Sequence, residues 1–79
     1  MAGRRRRRRQ RRIRWYNPKL GDFEWRRVPQ SDEKALVLLD GYPGAEDHVA
    51  VYRAWRELGA SIAVALIRAG DVARESGGE

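Results

Sequence analysis

The sequence predicts an α+β protein of one small domain, a β-hairpin followed by two helices (ββαα), preceded by a disordered arginine-rich N-terminal arm. Three observations carry this prediction. Nine of the seventeen Lys and Arg residues fall within the first fourteen positions, with almost nothing apolar among them. Apolar and polar side chains alternate on both sides of a turn-rich stretch between Ile13 and Val28. From Ser31 onward, apolar residues recur at helical spacing in two blocks separated by Gly41 and Pro43.

The arm occupies residues 1–12. Arg4, Arg5, Arg6, Arg7, Arg8 and Arg9, followed by Arg11 and Arg12, repel one another and have no apolar surface to bury, so the segment is expected to order only against a polyanion. Residues 15–79 carry eight Lys or Arg against eleven Asp or Glu, a net charge of −3, so the overall +6 belongs to the arm. Arginine outnumbers lysine fifteen to two, which a GC-rich coding sequence would also produce; such a bias does not explain the clustering.

The hairpin is expected over residues 13–28. Ile13 and Trp15 alternate with Arg14 and Tyr16, the run from Asn17 through Pro18 to Gly21 and Asp22 supplies turn chemistry, and Phe23 and Trp25 alternate with Glu24 and Arg26. Setting Trp15 opposite Trp25 puts Ile13, Trp15, Phe23 and Trp25 on one buried face. Arg14 then lies beside Arg26, and Tyr16 beside Glu24, on a wet, basic one. On that reading Tyr16 is the one ring of this group free to stack, and Trp25 is core.

Ser31, followed by Asp32 and Glu33, is a helix start with acids at the positive end of the dipole, which opens a first helix over residues 32–40. Gly41 and Pro43 end it. A second helix is expected over residues 45–69, with Glu46 and Asp47 in its first turn and Trp55, Leu58, Ile62, Leu66 and Ala69 at helical spacing. Gly70 closes it, and residues 71–79 form a flexible tail.

Gly59 admits two readings. As a break, the run Arg56, Glu57, Leu58, Gly59, Ala60, Ser61 is the turn of a helix-turn-helix with Ser61 capping the next helix. Together with Arg68, Ala69, Gly70 and Asp71 it resembles the recognition helix region of the small excisionase-like DNA-binding family. The resemblance covers about sixteen residues and implies a DNA-binding regulator. It departs where Trp55 stands in place of a small packed residue, where Ile62, Ala63, Val64 and Ala65 replace side chains that would touch base edges, and in a short spacing from Ser61 to Gly70. The preferred reading is one continuous helix, in which Gly59 and Ala63 let another helix approach closely at a cost of about 1 kcal/mol relative to alanine. Gly59, Ala63, Leu66 and Ile67 are then the expected interface of a homodimer or of a subunit in a larger complex.

Other functions find no support in the residues. There is no cysteine, so neither a disulfide framework nor a thiolate metal site is expected. His48 stands beside Glu46 and Asp47 but has no second nitrogen or sulfur ligand, and is expected to be a solvated first-turn residue; no metal or cofactor is expected. No nucleophile with a base and no phosphate loop with its lysine is present, so enzyme activity is not expected. The longest apolar run, residues 60–67, is far short of the roughly 20 residues of a membrane span. An h-region does not follow the basic start, and the expected location is cytoplasmic.

Charge therefore carries the functional reading. The run Arg7, Arg8, Arg9, Gln10, Arg11, Arg12 resembles the arginine-rich RNA-binding segments of viral regulators, and that resemblance implies an arm that folds in an RNA groove. Guanidinium groups grip phosphate bidentately and stack on bases, which lysine does not do. The expected function is a small non-enzymatic nucleic-acid-binding protein, RNA favoured over DNA, using Arg4 to Arg9, Arg11, Arg12, Arg14, Tyr16, Arg26 and Arg27. The alternative is an adaptor that docks through its apolar helices, its arm lying in an acidic protein groove or on an anionic surface.

Overall fold

A computed structural model describes residues 11–77. Residues 1–10 of the expected arm lie outside the described residues; Arg11 and Arg12, expected to be disordered with them, belong to the hairpin, Arg12 opening the first strand opposite Arg27 and the Arg11 carbonyl accepting from the Val28 amide at 3.0 Å. The chain forms an antiparallel pair, β1 (Arg12–Asn17) and β2 (Asp22–Arg27), followed by α1 (Asp32–Leu38), α2 (Ala45–Glu57) and α3 (Ile62–Gly77). The hairpin followed by helices is the expected order, but three helices stand where two were expected. No helix among the described residues is long and apolar enough to cross a membrane.

The hairpin register differs from the expected one by a single residue. Trp15 pairs with Glu24, Tyr16 with Phe23 and Arg14 with Trp25, and a one-residue slip moves every side chain of one strand to the other face. Asn17 sets the register by building a four-residue turn. Its backbone carbonyl accepts from the amides of Leu20 and Gly21 at 3.1 and 2.9 Å, and its side-chain oxygen accepts from the Lys19 amide at 2.9 Å. Trp25 is consequently 65% exposed and not core. The inner face carries Ile13, Trp15 and Asn17 against Asp22, Glu24 and Arg26.

Trp15 is fully buried and anchors a core with Ala35, Leu39, Tyr52, Ala65, Leu66 and Ala69. Full burial of such a ring is worth about 2–3 kcal/mol. The α1 start is as expected: the Ser31 hydroxyl accepts from the Lys34 amide at 3.2 Å, with Asp32 and Glu33 in the first turn.

Gly59 breaks the long helical pattern, contrary to the continuous helix preferred from sequence. Its φ is +97°, a left-handed conformation that favours glycine. The Gly59 amide donates to the Arg56 carbonyl and the Ala60 amide to the Trp55 carbonyl, both at 3.0 Å, the paired closure that satisfies the last carbonyls of a helix. Ser61 then caps α3, its hydroxyl accepting from the Val64 amide at 3.2 Å.

Gly70, read from sequence as a helix stop, lies inside α3. A methyl group there would sit 2.6 Å from the Tyr16 carbonyl oxygen and 3.0 Å from the Trp15 ring, so glycine is what allows α3 to press against β1. The stripe of small buried residues, Ala65, Ala69 and Ala73, carries the helix on to Gly77, and the expected flexible tail is helical through that residue.

Candidate nucleic-acid interface

The outer face of the hairpin gathers Arg12, Arg14, Tyr16, Phe23, Trp25 and Arg27, because these positions alternate with the buried ones and pair with each other in the observed register. The Arg14 guanidinium lies over the Phe23 ring at 4.0 Å, and that of Arg74, reaching from α3, lies 5.4 Å from the same ring. Tyr16 meets Phe23 edge to face, with centroids 5.5 Å apart. Phe23 is thus a hub covered by cations and a second ring, while Trp25, across the ladder from Arg14, leaves most of its surface in solvent. Arg11, Arg12, Arg14 and Arg27 are exposed. A guanidinium that rests over a ring still has N–H groups to offer a phosphate.

Two of the residues expected here are placed differently. Arg26 is on the inner face and donates to Glu24 at 2.6 Å, so it is paired with a carboxylate and separated from Arg14 by the sheet. Tyr16 is half-buried and engaged by Phe23, so the exposed ring is that of Trp25. Arg74 falls in the stretch 71–79 expected to be a tail; the small-residue stripe continuing from Ala69 to Ala73 is the sequence signal that carries the helix past it.

Beneath that face Glu24 is a junction. Its Oε2 accepts from Trp15 Nε1 at 3.1 Å, Asn17 Nδ2 at 3.0 Å and Arg26 Nε. Burial by itself raises the carboxyl, but the hydrogen bonds from Arg26, Trp15 and Asn17 outweigh it and hold the group below its ordinary 4.5. This network fixes Trp15 and, through the register, the basic face above it.

Beside the platform, a cleft of about 400 Å³ opens between the hairpin turn, the loop from α1 to α2 and the end of α3. Tyr16 lines both the cleft and the platform. His48 also lines it and is 7% exposed, in contrast to the solvated residue expected from sequence. Its Nδ1 is 2.8 Å from the Tyr42 hydroxyl, and the two rings stack 5.5 Å apart. Burial pushes the Tyr42 phenol up to about 12.

A second network, away from the platform, is structural. Asp32 accepts from Tyr52 at 2.6 Å and from Arg56 Nε at 2.8 Å; hydrogen bonds from Arg56 and then Tyr52 hold its carboxyl below the ordinary range. Arg56 also donates to the Ala60 carbonyl at 2.8 Å, fastening the turn between α2 and α3.

Of the expected interface residues, Leu66 is fully buried in the core and presents nothing to a partner. Gly59 is in the turn, and Ala63 and Ile67 are half-buried. Among the described residues no group of three His, Cys, Asp or Glu is placed to hold a metal. No family model, curated protein or solved structure matches the chain.

Proposed function

We propose that the chain is a small, non-enzymatic nucleic-acid-binding protein of the cytoplasm that takes single-stranded RNA in preference to DNA. The observation that supports this best is the hairpin register, which sets the exposed Trp25 among Arg12, Arg14 and Arg27 on one face. An exposed indole between guanidinium groups is the arrangement by which unpaired bases are stacked while the backbone is neutralised. The arginines at positions 4–9 stand two residues before β1 in the sequence and add to the same charge. The test is fluorescence anisotropy of the full chain with a single-stranded RNA, its DNA counterpart and a duplex at equal salt. RNA bound tightest supports the reading; no binding to any of the three at ordinary salt defeats it.

A second reading, an adaptor or homodimer docking through the helices, has one observation in its favour: Leu58 is 79% and Val64 40% exposed on either side of the α2–α3 turn, beside Ala63. Ala63→Glu would place an unpartnered charge in that contact. A sedimentation velocity series in which the wild type stays monomeric at high micromolar concentration removes the dimer.

A further inference from the structure

The cleft at Tyr42 and His48 is next to the platform and shares Tyr16 with it, and its chemistry is not used by stacking or by phosphate contact. Its volume of about 400 Å³ is in the range of small-ligand sites, roomy enough for one heterocyclic base. Tyr16 and Pro18 on one side and Tyr42 and Pro43 on another give it flat apolar walls, and Asp47 and Ser76 bring polar groups to it. His48 is more than nine-tenths buried, yet only Nδ1 has a partner among the described residues. A buried imidazole nitrogen without a partner is costly unless something fills the place.

We propose that this cleft receives one base of the bound strand and that the base is guanine, a proposal that rests on the nucleic-acid reading above. With the Tyr42 hydroxyl as donor to Nδ1 of His48, one of the two tautomers that the 2.8 Å contact allows, the ring proton is on Nε2 and can serve a ligand acceptor. The Asp47 carboxylate is an acceptor. One donor and one anionic acceptor together match guanine, whose O6 accepts and whose N1–H and N2–H groups donate along one edge. Adenine carries an amine where guanine carries O6 and has no proton at N1, and uracil has a single ring N–H and no exocyclic amine. Arg74 and Ser76 lie on the same final turns of α3, the first over Phe23 and the second on the cleft. A strand stacked on Trp25 can therefore pass Arg74 and turn one base inward beside Tyr16.

The test uses labelled hexaribonucleotides in anisotropy titrations with the full chain: all-uridine, and the same oligomer with one central guanosine or one central adenosine. Guanosine is expected to tighten binding about tenfold over both, within what a bidentate hydrogen-bond pair discriminates. Asp47→Asn should erase the preference of guanosine over both; Asp47 is exposed, so the variant should fold. Ser76→Trp, which fills the cleft from its rim, should do the same. Equal affinity for the three oligomers, a preference for adenosine, or a guanosine preference that survives both substitutions overturns the proposal. Failure to bind any of them overturns the nucleic-acid reading first and this proposal with it.

Discussion

Trp15 and Glu24 face each other across the hairpin, with the indole N–H donating to the carboxylate at 3.1 Å. The pair is the point at which register, core and basic face are fixed together. Trp15→Phe removes one donor and leaves Glu24 with less compensation for its burial; it should cost about 1–3 kcal/mol in urea unfolding. Trp15→Ala, which also empties the core, should cost about 3–5 kcal/mol.

The same carboxylate makes stability depend on acid. Glu24 is held below 4.5 in the folded protein, so its contribution is fully present above the unfolded value and is lost as pH falls through the lower folded one. Melting temperature should therefore hold steady above about pH 5 and drop below it, and Glu24→Gln should flatten that drop. A variant with the wild-type acid profile would show that other carboxylates dominate.

Trp25→Ala should leave thermal unfolding within about 0.5 kcal/mol of wild type, as expected for a surface position, while weakening RNA binding by about 1–3 kcal/mol, the usual worth of a base stacked on an aromatic side chain. Loss of stability without loss of binding would mark the indole as structural.

Removing residues 2–10 tests the cationic segment. The cut stops short of Arg11, whose carbonyl accepts from the Val28 amide at 3.0 Å, so the hairpin ladder stays whole. If about six phosphates are contacted, the full chain should lose affinity with a log–log salt slope of about −4 to −5, and the truncated chain should show a much smaller slope. Unchanged affinity and slope after truncation would exclude the segment from binding.

Gly70→Ala should destabilise by about 1–3 kcal/mol, as an overpacked contact does, even though alanine favours a helix by about 1 kcal/mol. The methyl group would meet the Tyr16 carbonyl, and backbone has nowhere to yield. Differential scanning calorimetry against wild type measures the balance; a stabilised variant would mean that α3 lies farther from β1.

The elements that local chemistry dictates were legible in the sequence. Ser31 with Asp32 and Glu33 marked the start of α1, Glu46 and Asp47 that of α2, and the turn residues between Asn17 and Asp22 the hairpin. What could not be read was set by a single residue of offset or by tertiary contact. Asn17 could close a four- or a five-residue turn, and the choice reverses the roles of Trp25 and Arg26. The Gly59 and Ser61 pair carries the signature of a break, but the apolar spacing of Trp55, Leu58 and Ile62 fits a continuous helix equally well. Gly70 has the same one-letter signature whether it ends a helix or touches a strand, and with its role went the placement of Arg74. The burial of His48 depends on Tyr42, six residues away across a loop, which no helical period reveals.

The contact of Gly70 with Tyr16 also has a kinetic consequence. The hairpin and the α2–α3 pair are each joined by a short turn and can form early, whereas the docking of α3 on β1 closes nearly the whole described chain. Closing so long a loop is the slow, entropically costly step in a chain of otherwise local contacts. Folding speed should thus be governed by how readily one small stretch of helix, without a side chain in the way, finds one strand. In a chevron plot Gly70→Ala should lower the refolding limb, and substitutions confined to the Asn17 turn should mainly raise the unfolding limb.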